Sequence, residues 1–567
     1  MPARARSAAL IVACAILWGC GSSNGSPDGG GGGGAGAAAG RGGTSGIAGV
    51  GGGAGTAAGA DGGGGGVAGG ISGNAGASGN AGASGVAGAS GVAGTSGTAG
   101  ASGNAGASGN AGAGAGGTAG SSNAGTTGGG GRAGAGGNAG RGGGSGTGGT
   151  IALPAWDWVS IVGTGQSLAV GGHGNVAAQP FGGMTQRFRN LKLSLGSANV
   201  PPYDPMSSAL TTVALVEPLR AIASGYPSPY PRNIYGQTYH TAMADEITTL
   251  AMAATGRDYV TVHTEVGEAG QTFPIIAKGA TDTGTTGRAY AASLFEVAAI
   301  ARLARAAGKS HGVGAIAIIH GESDATSTTY EADLIKLASD YNQDLRPLTA
   351  QTTTIPLFVS QQHSSPTNAA SRSTATLAQW HAGVTRPGDI VCVGPKYQYP
   401  YISDATHLTN PGYERLGEKL GQVFAERVVL GRDWRPLEPI AVARDGRVVT
   451  VTFHVPVPPL AWDGTLGAPH QSAYTEWSQG RGFELRNGNT RIQIASVAIT
   501  GAAVQITSAA DLPASGLVVG YAFTADGTIR SGGTARWGLL RDSDPFTGAA
   551  TGAAQPNYAV AFELDVP

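Results

Sequence analysis

The chain has 567 residues, 102 of them Gly, and a formal net charge of −1 with 12% of residues charged. Glycine on that scale excludes a single globular domain, and so sparse and balanced a charge argues against a nucleic-acid binder, which carries a basic surface. Residues 21–150 hold 59 of the glycines, no aromatic residue and five charged ones, too little apolar surface to offset the entropy of ordering them. Residues 151–567 hold 42 glycines and all but one of the aromatics, so the foldable part amounts by length to roughly two to three domains.

The first segment reads as an address. Arg4 and Arg6 precede an apolar run of eleven residues, Ala8 to Trp18, too short to span a bilayer and suited to a secretory leader. The run ends in Leu17-Trp18-Gly19-Cys20, which resembles the lipobox of bacterial lipoproteins. The resemblance implies a signal peptide over 1–19, lipidation of Cys20, and a protein held by it at the membrane of the cell envelope, on the outer membrane or cell surface. An ordinary signal peptide cleaved nearby is the other reading. No later apolar stretch reaches spanning length. Residues 20–150 are expected to be a disordered tether. From Gly73 to Gly112 glycine falls at every third position, but no Pro accompanies it, so a flexible coil is preferred to a collagen-like helix. Its span is roughly 60–70 Å by Gly-rich chain scaling. Of the cysteines, Cys14 and Cys20 lie in the export segment, which leaves Cys392 without an intrachain partner. No disulfide framework and no multi-cysteine zinc site is expected.

Residues 151–433 alternate strand and helix. Trp158 to Val162 is a short apolar run closed by Gly-Thr-Gly, and Tyr259 to Val266 offers a second strand. Arg288 to Ala307 carries Tyr290, Leu294, Val297, Ala301 and Ala304 along one helix face, with Gly308 as a C-cap. Val313 to Ile319 reads as a buried strand, followed by a helix from Tyr330 to Leu345 and a strand from Ile355 to Val359. A helix near Ala369 to His381, a strand from Asp389 to Val393 and a helix from about Gly412 to Val429 complete the series. Five strands separated by helices predict an α/β fold, a five-stranded parallel sheet covered on both faces. In such sheets sites gather at the carboxyl ends of the strands.

Four segments at those ends carry chemistry. Gly163-Thr164-Gly165-Gln166-Ser167 follows the first strand, where a serine can present its hydroxyl and its amide at the top of the sheet; a helix N-cap is the plainer reading. Asp404-Ala405-Thr406-His407 follows the last strand. A hydroxyl nucleophile needs a base such as His407 and a carboxylate such as Asp404 to orient it. Glu265 to Gly279 follows the second strand, and His320 to Asp324 the third. The spacing of His263, Glu265 and Glu268 matches no metal-ligand pattern. Just before Asp404, Tyr397, Tyr399 and Tyr401 suit either a sugar-stacking wall or an ordinary strand edge.

Over roughly residues 156–430 the chain resembles the SGNH-type esterases, in particular the carbohydrate acetylesterase branch that includes sialate O-acetylesterases. The resemblance rests on Gly165-Gln166-Ser167, His320-Gly321-Glu322-Ser323-Asp324 and Asp404-Ala405-Thr406-His407, in order and each after its strand. It implies a three-layer α/β hydrolase, an acetylated carbohydrate as substrate, and Ser167 as nucleophile with His407 as base and Asp404 as its orienter. It further implies an oxyanion hole from the amides of Ser167 and Gly270, with Gly267 as the close second for the glycine. His320 would assist there, although the family places Gln or Asn at that position; a buried structural histidine is the alternative. Gln166, Glu322 and Tyr401 are assigned to substrate binding, with a scaffolding role left open for Glu322. No metal and no organic cofactor is implied, and the oligomeric state stays open.

Residues 434–567 read as an all-β, sandwich-like domain, with a strongly alternating strand from Arg447 to Val455. Further strands are expected at 482–485, 491–497, 504–507, 517–524 and 534–539. Glycan binding and bracing of the hydrolase are equally open for it. For the whole chain a carbohydrate acetylesterase leads. A non-catalytic glycan-binding lipoprotein and an esterase for longer acyl chains remain as alternatives.

Overall fold

The computed structural model describes residues 156–173, 187–221, 233–279, 288–470 and 472–567. The expected leader, Cys20 and the Gly-rich stretch lie outside them. Among the described residues no helix is long and apolar enough to cross a membrane.

One sheet has seven strands: β1 (Trp158–Gly165), β2 (Leu191–Leu193), β3 (Thr212–Ala214), β4 (Val260–Glu265), β5 (His311–Ile319), β6 (Leu357–Gln361) and β7 (Ile390–Pro395). Their order is β3-β2-β4-β1-β5-β6-β7, and every neighbouring pair is parallel except β2 with β3. The five strands expected from sequence are present. The count of five is corrected to seven by two edge strands of three residues each, too short to leave a periodicity.

Among the described residues six helices accompany the sheet: α1 (His240–Thr255), α2 (Phe273–Ile276), α3 (Arg288–Ala306), α4 (Tyr330–Thr349), α5 (Thr374–Thr385) and α6 (Asn410–Phe424). Two apolar clusters separate the faces. Met243 and Ile247 of α1 and Leu416, Leu420 and Val423 of α6 pack on Val159, Ile161, Ala317 and Val391. Val297, Leu334, Leu337 and Ala382 of α3 to α5 pack on Val162, Ile316, Ile318 and Leu357. Burial on both faces is why these strands read as continuous apolar runs. Helix α1 escaped the sequence reading because its buried side includes His240, Asp245 and Glu246, which blur the apolar stripe. Helix α5 starts later than expected: Ser373 caps it by accepting the Thr376 N–H. The preceding residues bond elsewhere, Ala370 N–H to the Ala525 carbonyl and Ala525 N–H to the Ser371 carbonyl.

The C-terminal part holds strands β8 (Glu438–Asp445), β9 (Val448–His454), β10 (Ala461–Trp462), β11 (Phe483–Asn487), β12 (Thr490–Arg491), β13 (Ile494–Thr500), β14 (Ala503–Ser508), β15 (Leu517–Tyr521), β16 (Leu540–Arg541) and β17 (Phe562–Asp565). Two antiparallel four-stranded sheets, β12-β11-β15-β17 and β13-β14-β9-β8, share one core of Val451, Phe453, Ile506, Leu485, Val519 and Phe562. The strand expected at 534–539 is absent; there the buried Arg536 side chain donates to the Phe523 carbonyl at 2.9 Å. The same core includes Trp380, Cys392 and Tyr397 from the α/β part. Gln361 of β6 exchanges two hydrogen bonds with the Ala561 backbone, at 3.0 and 2.8 Å. Cys392 is free and buried, and burial pushes its thiol up to about 12.

Candidate active site

The strand order reverses direction at β1, which places its carboxyl end where open α/β sheets hold their ligands. Gly163 pairs with Glu265 of β4, and a Cβ on it would lie 2.3 Å from the Glu265 carboxylate and from His240 Nε2. Gly165 has φ +135°, and a Cβ there would lie 2.1 Å from the Ile319 carbonyl oxygen. Both positions therefore accept glycine alone. The chain leaves β1 by Gln166 N–H donating to Ile319 O at 3.0 Å. It then turns, with Gly172 N–H bonded to Ser167 O at 2.6 Å, and Ser167 stands half-buried at the start of that turn.

His407 meets it from the loop that follows β7, the edge strand of the sheet. Its Nε2 is 2.8 Å from Ser167 Oγ, and its Nδ1 is 2.7 Å from Asp404 Oδ2. Asp404 Oδ1 accepts the N–H groups of Thr406 and His407, each at 2.9 Å. That turn requires Ala405 at φ +56°. The carboxylate fixes the proton on Nδ1 and leaves the Nε2 lone pair for the serine hydroxyl. Burial works to raise the Asp404 carboxyl, but the bonds from the His407 backbone and ring outweigh it and hold it below its ordinary value. The loop is anchored at Thr409, whose hydroxyl caps α6 through Gly412 N–H. Its entrance is held by the C-terminal part: Arg530 donates to the carbonyls of Tyr397 at 2.7 Å and Tyr399 at 3.2 Å, and Tyr401 N–H bonds Gly532 O at 2.9 Å.

The two glycines considered for an oxyanion hole differ. The Gly267 amide is taken by Glu265 Oε1 at 2.8 Å. Gly270 is exposed, at φ +72°, and its amide makes no hydrogen bond among the described residues; the same holds for Ser167 N–H. Beneath this loop lies a fully buried polar group. Glu265 Oε2 is 3.2 Å from both Tyr239 OH and His240 Nε2, and His240 Nδ1 is 2.8 Å from His263 Nδ1. Burial drives His240 down to about 3 and His263 well below the imidazole range, so both are neutral. Burial pushes Glu265 up to about 7, against the pull of the Gly267 N–H and of Arg220. Glu268 turns away to a buried ion pair with Arg288 at 2.7 Å, so His263, Glu265 and Glu268 do not converge on one point.

Three assignments change. His320 is fully buried, its Nε2 is 3.0 Å from the Gln271 carbonyl and its Nδ1 is 2.9 Å from Tyr330 OH. Burial holds the ring below its ordinary pKa, hence neutral. A neutral imidazole has one N–H, and a carbonyl can only accept, so Gln271 claims it. Nothing is left for an oxyanion, and the buried structural reading replaces the donor role. Tyr401 is 3% exposed, with its hydroxyl on the Lys396 carbonyl. Tyr397 and Tyr399 are equally interior, so these rings are core and not a sugar wall. Glu322 Oε1 pairs with Lys396 Nζ at 3.0 Å, both side chains buried, which favours the scaffolding role. Gln166 is buried too, and its Oε1 accepts Ser323 N–H at 3.3 Å, tying the turn after β1 to the loop after β5. Lys396 and the Tyr239–His240–His263 group went unassigned in the sequence. A lysine closing an apolar strand was the one visible sign, and no motif marks the rest.

No family model matches the chain, and no curated protein matches it. Among solved structures it is similar to a carbohydrate acetylesterase from Xanthomonas citri, at 14% identity and a TM-score of 0.44, over 72% of this chain and 80% of that one. It is also similar to NanS, at 10% identity and a TM-score of 0.28 over 48% and 98%. A carbohydrate acetylesterase from Sinorhizobium meliloti, Est24, shows 15% identity and a TM-score of 0.25 over 47% and 98%.

Proposed function

We propose that the protein is a serine esterase that removes O-acetyl groups from a carbohydrate, held at the cell envelope through Cys20. The observation that carries this reading is the hydrogen-bonded chain from Ser167 Oγ through His407 to Asp404, with bonds of 2.8 and 2.7 Å. The acetyl group and the sugar alcohol come from the motif resemblance. The anchor comes from the leader and Cys20.

Ser167 Oγ attacks the acetyl carbonyl carbon while His407 Nε2 takes its proton. Asp404 stabilises the imidazolium so formed. The oxygen that gains negative charge is received by the N–H groups of Ser167 and Gly270. His407 returns the proton to the sugar oxygen, which leaves as the alcohol, and the acetyl group stays on Ser167. A water then gives a proton to His407 and attacks the acetyl-serine; acetate departs and Ser167 regains its proton. The test is hydrolysis of an activated acetate ester by wild type beside Ser167→Ala, followed by acetate release from a panel of acetylated polysaccharides. Equal rates for the two proteins would remove the proposal and leave a non-catalytic binder.

A further inference from the structure

A second imidazole stands beside the hydrogen-bonded chain. The rings of His173 and His407 have centroids 4.4 Å apart and planes tilted by 46°. His173 is on the turn that carries Ser167, and its φ of +61° is uncommon for a residue with a side chain. Gly172 before it is pinned: its carbonyl accepts Tyr413 OH at 2.6 Å, and a Cβ on it would lie 3.2 Å from His407 Cδ2. The turn that presents the serine thus also carries the second ring. Ligand atoms from His173, His407 and Asp404 lie within 4.8 Å of one another, with His173 and Asp404 exposed and His407 half-buried.

Two imidazoles and one carboxylate, open to solvent on one side, form a donor set that suits Zn²⁺. Mg²⁺ and Ca²⁺ prefer oxygen ligands and find one carboxylate. We propose that His173, His407 and Asp404 form an inhibitory Zn²⁺ site that shuts the esterase off. Occupation at His407 Nε2 uses the lone pair that receives the Ser167 proton and releases no proton. Occupation at Nδ1 displaces its proton to solvent and breaks the bond to Asp404. Either way the serine loses its base.

The inhibition rests on the esterase reading, whereas the binding does not, so both are measured. The full chain, stripped with EDTA and held at one pH, is titrated with ZnCl₂ by calorimetry and, in parallel, during hydrolysis of an activated acetate ester. Wild type is expected to bind one Zn²⁺, reversibly to EDTA, and to lose activity over the same concentration range. Ser167→Ala keeps both imidazoles and is expected to bind alike. His173→Asn tolerates the left-handed backbone without an imidazole. Its binding and its half-inhibition are expected to weaken by at least about tenfold, the lower range for losing ligand support. Equal zinc affinity in wild type and His173→Asn, absence of binding in wild type, or equal binding of MgCl₂ would each overturn the site. Binding with no hydrolysis by the zinc-free chain would sink the esterase reading and leave the metal site standing.

Discussion

Ser167 Oγ and His407 Nε2 lie 2.8 Å apart although 240 positions separate them in the chain. The serine is placed by the end of β1, and the histidine by a loop between β7 and α6. Arg530, from the C-terminal part, grips that loop at its entrance through the carbonyls of Tyr397 and Tyr399. The C-terminal part therefore braces the loop that carries Asp404 and His407, which sequence alone left undecided.

In the proposed mechanism a shared proton path makes the two residues one unit. Ser167→Ala and His407→Ala are each expected to lower kcat by at least about 10³-fold, and the double variant no further. Steady-state rates on an acetate ester, with melting curves as the folding control, measure this. Losses that multiply would show two independent contributions.

His320 is expected to matter for stability more than for rate. His320→Ala removes the N–H that the Gln271 carbonyl accepts and one of the partners of the buried Tyr330 OH, at a cost of about 1–3 kcal/mol for lost buried hydrogen bonding. Denaturant titration reads the loss, and kcat is expected to stay within a few-fold of wild type. A fall of about 10²-fold in kcat with an intact fold would restore the oxyanion role.

Glu322 and Lys396 form a buried pair, 5% and 0% exposed. Lys396→Met alone strands a carboxylate in the interior and is expected to destabilise by about 3–5 kcal/mol. Glu322→Leu combined with Lys396→Met is expected to recover much of that, because no buried charge remains. A double-mutant cycle in urea checks it; simple additivity would mean the pair is not coupled.

Glu265 sets a dependence of stability on pH. Its carboxyl is raised from the ordinary 4.5 to about 7 in the folded chain, by burial first. The folded state thus holds the proton more tightly than the unfolded one. The contribution of this group is full below about 4.5 and is lost as pH rises through about 7. Glu265→Gln fixes the neutral form. The difference in melting temperature between variant and wild type is therefore expected to shift in the variant's favour from pH 5 to pH 8.5. A difference that stays constant over that range would contradict the assignment.

Much of the arrangement was legible locally. Apolar runs marked β1, β5, β6 and β7, because a strand buried on both faces leaves no polar alternation to misread, and β4 showed through a partial alternation, Val260-Thr-Val-His-Thr-Glu265. Ser167 stood out because it follows Gly163-Thr164-Gly165 at the end of β1, and Asp404 and His407 because a carboxylate and an imidazole share one loop after β7. Helix α1 was hidden by its buried polar residues, and β2 and β3 by their length.

The sequence by itself singled out Ser167, Asp404 and His407 as candidates and the strands they follow, since both follow from residue type and short-range periodicity. Tertiary structure alone decided what those side chains touch. It gave the His320 proton to a carbonyl, sank Tyr401 into the core, paired Glu322 with Lys396 and set His173 against His407. The physical reason is that a polar group's role depends on the partner that satisfies it. Those partners lie 49 residues away for His320, 74 for Glu322 and 240 for Ser167, beyond the reach of any local pattern.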